Sequence, residues 1–159
     1  MNFVKRAGRK LSVLVKLRGA ERTLMIEAMA LLALARMWLV ATPFPKVAQR
    51  LGTAHSPNDR EPASMAGLSA ADEATARSVG VAIDRASKNV PFRAVCIQQA
   101  VAAKMMLRRR GIPCVLHFGV AKNAATGEQM RAHAWLDVTH VPVTGYPISA
   151  DLLEIAYFV

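Results

Sequence analysis

The chain has 159 residues and is poor in the features that most quickly place a sequence. It carries two cysteines, Cys96 and Cys114, so no disulfide framework holds it, and no paired Cys/His spacing offers structural zinc. Aromatics make up only 6% of it, and its basic clusters lack the interleaved rings on which nucleic-acid bases stack. Eight prolines and nine glycines occur without a period, which excludes collagen-like and low-complexity architectures. Acids are scarce, 11 against 21 Lys+Arg, for a net charge of +10. What is abundant is apolar. A hydrophobic fraction of 53% excludes wholesale disorder, and the length fits one domain, at most with an appended helical segment.

The position of the charge matters more than its size. Lys5, Arg6, Arg9, Lys10, Lys16, Arg18 and Arg22 crowd the amino-terminal stretch, with Glu21 the one acid among them. This block reads as a solvated amphipathic helix or a contact with a partner or membrane surface. Arg108, Arg109 and Arg110 form a second cluster at the end of an apolar run. There cations offset a helix dipole by a few tenths to about 1 kcal/mol. Neither cluster indicates nucleic acid.

From Leu24 to Val40 the chain reads LMIEAMALLALARMWLV, with Glu27 and Arg36 about half a turn out of phase. The run is short and charged for a membrane span, which takes ~20 apolar residues. The expectation is a helix buried against the domain or a partner, with membrane contact less favoured, ended by Pro43 and Pro45. Residues 52–68 lack any period and read as a linker between an amino-terminal segment, 1–51, and a main body, 69–159. Ser69 and Asp72 predict a capping box, followed by a helix burying Ala76, Val79, Ile83 and Ala86. A further helix is expected from about Cys96 to Arg110, stopped by Gly111 and Pro113. Alternation then predicts strands over CVLHFGVA and RAHAWLDV, the second placing His133, Trp135 and Asp137 on one face. Pro142 marks an edge strand, and SADLLEIAYF reads as a helical turn or packed tail. Helices first and antiparallel strands last make the class α+β.

One arrangement carries chemistry. A cysteine at a helix start meets free N–H groups and the positive end of the dipole, which favour the thiolate. Cys96 occupies such a place, and His133 on its strand is the candidate base. A thiolate–imidazole pair suffices for acyl transfer, with the N–H of Cys96 first in line for the oxyanion. The bland reading makes Cys96 a small buried hydrophobe and His133 a hydrogen-bonded strand residue. Cys114 reads as structural, His117 as a satisfied strand histidine, and His55 and His140 as solvated. Trp135 walls a cleft or fills the core; Gln99 is an oxyanion donor or an ordinary helix glutamine.

The words CIQQA from Cys96, LRRRGIP from Leu107, HFGV from His117 and AHAWLD from Ala132 together resemble one family. It is the transglutaminase-like cysteine peptidases of lasso-peptide biosynthesis, in their standalone leader-peptidase form. Ala20-Glu21-Arg22, the apolar run and Pro43-Phe44-Pro45 are similar to that family's opening segment. The implied fold is a papain/transglutaminase-like core behind an amino-terminal helical segment, with the nucleophile at a helix start and the histidine on an antiparallel sheet.

The resemblance implies a bacterial cytoplasmic peptidase that removes the leader from a ribosomally made precursor peptide. Cys96 would be its nucleophile and His133 its base, with no cofactor or metal. A separate small leader-binding protein would deliver the precursor, and an ATP-dependent macrolactam cyclase would act next. The family's third member, often an Asp about a dozen residues after the histidine, has no counterpart in Val143-Thr144-Gly145-Tyr146-Pro147, its place falling at Gly145. Asp137 shares the face of His133 but sits ~13 Å along the strand, and Asp151 is reachable only if the tail folds back. A backbone carbonyl, the Thr144 hydroxyl or Tyr146 are the other orienting groups. The alternative is a non-catalytic scaffold that binds precursor and maturation partners; a thiolate transferase ranks third.

Overall fold

The computed structural model describes residues 19–59, 67–121 and 131–159. The basic block up to Arg18, part of the expected linker and residues 122–130 lie outside the described residues. The elements in chain order are α1 (Gly19–Ala41), α2 (Phe44–Leu51), β1 (Ala54–His55), α3 (Ala70–Asn89) and α4 (Cys96–Arg108). Then follow β2 (Val115–Ala121), β3 (Arg131–Val138), β4 (Val141–Thr144) and β5 (Leu153–Phe158). The five strands form one antiparallel sheet in the order β1-β5-β2-β3-β4. The class is α+β.

Local chemistry accounts for most helix boundaries. Ser69 caps α3, its hydroxyl oxygen accepting the Asp72 N–H at 3.2 Å while Asp72 accepts the Ser69 N–H at 3.0 Å. At the end of α4, Gly111 takes φ 69° and the Ile112 N–H reaches back to the Leu107 carbonyl at 3.1 Å. Pro43 precedes α2 as its cap. Pro142 lies on β4, which is an edge strand, so its missing N–H costs the ladder nothing.

The helices lie on one face of the sheet. Alternation along β3 sends Ala134, Leu136 and Val138 into the core with Leu116 and Phe158. They meet Ala76, Val79 and Ile83 of α3 and Ala100, Val101, Ala103 and Met106 of α4. Gly80 lets α3 lie close on β4, because a Cβ there would come within 2.7 Å of the Val143 carbonyl oxygen.

The amino-terminal apolar helix joins this same core. Met25, Ala28, Leu31, Leu32 and Ala35 of α1 are buried, and the helix packs on α3 and α4. Its 23 residues also meet the length and composition of a membrane span, and Ile26, Leu34, Met37 and Val40 on its outer side are exposed.

Two local expectations differ from the structure. Ala54–His55, inside the stretch expected as linker, adds a short strand to the sheet by pairing with Phe158 and Tyr157. The carboxyl end, expected as a helical turn or packed tail, is the strand β5, between β1 and β2. Its Leu, Glu and Ala residues prefer helix locally, and pairing with β2 overrides that preference.

Candidate active site

Cys96 is the first residue of α4, and the helix start is satisfied only in part from within the chain. The Val95 carbonyl accepts from Gln98 and Gln99 N–H at 2.9 and 3.1 Å, and the Gln98 side-chain oxygen accepts the Val95 N–H at 3.2 Å. The Cys96 and Ile97 amides have no protein acceptor among the described residues. Two donors at the positive end of a helix therefore flank a half-buried thiol. The Gln99 amide donates to the Ala94 carbonyl at 2.9 Å, which occupies it with the preceding turn.

Cys114 sits in a different environment. It is buried in the main core at 5% exposure, and burial pushes its thiol up to about 11. The two cysteines are thus chemically unequal, as their positions in sequence predict.

His133 stands on β3, half-buried; the side chains that β3 turns into the core shared with α4 are its neighbours Ala134, Leu136 and Val138, so the imidazole lies on the alternate face of the strand. Its Nε2 lies 2.7 Å from the Gly145 carbonyl oxygen. A carbonyl only accepts, so Nε2 carries the proton and Nδ1 is left with the lone pair of a base. No hydrogen bond joins Cys96 to His133 among the described residues. Trp135, 6% exposed, stacks between two imidazoles, 5.1 Å from His117 and 6.2 Å from His133. It braces His133 as well as filling space.

Neither candidate acid bonds to His133. Asp137 accepts the Tyr146 hydroxyl at 2.9 Å and lies 3.2 Å from His117 Nε2. Asp151 pairs with Arg131 at 2.7 Å and accepts the Ser149 hydroxyl. Thr144 Oγ1 is buried without a hydrogen-bond partner among the described residues, so the hydroxyl does not serve His133 either. The group that His133 Nε2 does meet is the backbone carbonyl of Gly145. Gly145 has φ 84°, and a Cβ there would come within 2.6–2.7 Å of the Ala134 oxygen and Trp135 Cα. Only glycine fits this close approach.

Sequence reading missed what surrounds His117. Its Nδ1 lies 2.6 Å from Glu154 Oε1 on β5, and Asp137 is on its other side. Burial works against the imidazolium, but the two carboxylates outweigh it and its pKa is raised. The cross-strand pairing of His117 with Trp135 and with Tyr157 places this face, and it becomes visible only once β5 is a strand. Burial and Asp137 likewise push the Tyr146 hydroxyl well up. His55 is not simply solvated, since its ring stacks on Tyr157 at 5.0 Å. His140 is 70% exposed, 3.5 Å from Glu73. Among the described residues no group of three His, Cys, Asp or Glu is placed to hold a metal ion.

A search of curated proteins finds no match, nor does a search of solved structures. A family model described as transglutaminase-like superfamily matches residues 38–155, which takes in Cys96, His133 and most of the sheet. Most of the chain lies within that match: the chain belongs to the transglutaminase-like superfamily.

Proposed function

We propose that this chain is a cysteine peptidase that cleaves the leader from a ribosomally made lasso-peptide precursor in the bacterial cytoplasm. One observation carries the reading: in a chain of this superfamily, Cys96 is the first residue of α4, beside two unclaimed amides. The thiolate attacks the scissile carbonyl, and the Cys96 and Ile97 N–H groups receive the developing oxyanion. His133, its Nε2–H given to Gly145, takes the thiol proton at Nδ1 and returns it to the leaving amine. Water, deprotonated by the same Nδ1, then attacks the Cys96 thioester, releasing the carboxylic acid product and the thiolate. In this reading the seated substrate brings Cys96 and His133 into hydrogen-bond contact, since catalytic hydrogen bonds can form only in the complex. A cysteine needs less activation than a serine, so a carbonyl in place of a carboxylate serves.

The precursor, a separate leader-binding protein and an ATP-dependent cyclase are the partners in this reading. The test is incubation of the chain with a precursor and its leader-binding protein, followed by mass spectrometry. Cleavage is expected, falling by at least about a hundredfold in Cys96→Ala and His133→Ala. An intact precursor under conditions where binding is demonstrated would sink the proposal. Iodoacetamide is expected to label Cys96 well ahead of the buried Cys114; equal labelling would count against an activated Cys96. Gly145 in the place of the family's acid favours a second reading, a scaffold that binds the same partners without cutting. Intact precursor in a stable complex is its signature.

A further inference from the structure

Helix α1 has two apolar sides, and the core takes only one of them. Of its most apolar 18 residues 28% are buried, on the side of Met25, Leu32 and Ala35. The outer side carries Ile26, Ala30, Leu34, Met37 and Val40, all exposed, Met37 by 62% and Val40 by 77%. These five fall within about a third of the helix circumference and run ~21 Å along its axis. The other helices show nothing comparable: α2 and α3 expose one large apolar side chain each, Phe44 and Val81, and α4 none. Single exposed apolar residues are ordinary on a surface, whereas a continuous stripe marks a contact.

The charge beside this stripe is of one sign. Lys5, Arg6, Arg9, Lys10, Lys16 and Arg18 precede α1 in sequence with no acid among them, and Arg22 stands at the amino-terminal end of the stripe itself. Neither acid of α1 belongs to the stripe: Glu21 meets Arg85 at 3.8 Å, and Glu27 meets Arg110 at 2.6 Å. The outer face of α1 is thus aliphatic, free of carboxylates and continuous in sequence with a dense positive block. An anionic lipid bilayer supplies both complements in one surface, negative headgroups over acyl chains. A protein partner would need an acidic patch beside an apolar groove. Protein interfaces also rest on aromatic anchors and directed hydrogen bonds, and the five side chains of the stripe offer neither.

We propose that the outer face of α1, together with the basic block ahead of it, docks the chain on an anionic membrane surface. The aliphatic stripe enters the boundary between headgroups and acyl chains, and the cations are attracted to the headgroups over about a Debye length. Met25, Leu32 and Ala35 keep their places in the core, so α1 lies along the bilayer and does not cross it. The docking uses neither Cys96 nor His133 and stands whether or not the chain is a peptidase.

The experiment sediments the full chain with vesicles of phosphatidylcholine alone and of equal parts phosphatidylcholine and phosphatidylglycerol. Binding to the mixed vesicles is expected, at least about tenfold stronger than to the neutral ones and weakening as salt is raised. Lys5→Gln, Arg6→Gln, Arg9→Gln and Lys10→Gln combined should weaken it at least about tenfold. Met37→Ser with Val40→Ser should weaken it about tenfold through apolar area alone. Both side chains are exposed, so this variant is expected to keep the urea midpoint and circular dichroism of the unaltered chain. Ile26→Ser repeats the test at the other end of the stripe. Full binding retained by the serine variants would leave the attraction to the basic block alone and overturn the docking of α1. Equal binding to the two kinds of vesicle, or none to either, overturns the proposal. Binding to polyglutamate without binding to vesicles also overturns it and assigns the surface to an acidic protein.

Discussion

His133 is held by the carbonyl of a residue whose own side chain would have to vanish for the contact to exist. Gly145 lies so close over Ala134 and Trp135 that even a Cβ collides, and its φ of 84° is strained for any other residue. Restoring the family's acid here is therefore expected to fail. Gly145→Asp should lower stability by about 2–4 kcal/mol, read from urea unfolding, without raising cleavage. His117 makes a second residue-scale prediction. Its folded pKa is raised above the ordinary value near 6.5, so its contribution to stability is complete below that value. The contribution is lost as pH rises through the folded pKa. Urea midpoints are expected to fall from pH 6 towards pH 8, with a smaller fall in His117→Gln; an unchanged slope would contradict this. Of these residues, Cys96 and His133 are legible in the sequence as a helix start and an alternating strand. The partners of His133, His117 and Asp137 are not, because they come from Gly145, Glu154 and Tyr146, whose approach depends on strand pairing.

At the scale of elements, the Arg108–Arg110 cluster shows how far a local rule reaches. Dipole compensation explains cations at the end of α4, but Arg110 also makes two bonds to Glu27 of α1, at 3.2 and 2.6 Å. The Arg110 hydrogen bond and charge hold the Glu27 carboxyl below its ordinary value of 4.5, against the opposing effect of burial. That contribution is present above about 4.5 and is lost as pH falls through the depressed folded value. Glu27→Gln should cost about 1 kcal/mol at pH 7, the scale of a two-point pair partly open to water. It should also flatten the acid limb of the stability curve, measured by thermal unfolding between pH 3 and pH 7. The caps of α3 and α4 were readable because a cap involves residues within one turn of each other. The strand β5 was not, because its backbone donors and acceptors are met by β1 and β2.

For the molecule as a whole, α1 is an integral part of the core formed with α3 and α4. Leu32 is fully buried in that core, and Leu32→Ala should cost about 2–5 kcal/mol. Unfolding is expected to remain a single transition, with circular dichroism and tryptophan fluorescence coinciding. A separate early transition on the helical signal alone would mean that α1 folds independently. The excess positive charge also divides at this scale. Several of the described arginines and lysines have carboxylate partners, while Arg36 lies 5.0 Å over the Phe92 ring and Lys104 donates to the Cys114 and Phe158 carbonyls. The sequence by itself determined the α+β class, the cap that starts α3 and the stop after α4, and it pointed to Cys96 at a helix start and His133 on a strand. Each of those rests on spacing within an element. Only the tertiary structure decided what orients His133, where Asp137 and Asp151 are spent, and what the apolar helix packs against. Those depend on chain segments far apart in sequence that meet only when the sheet closes beneath the helices.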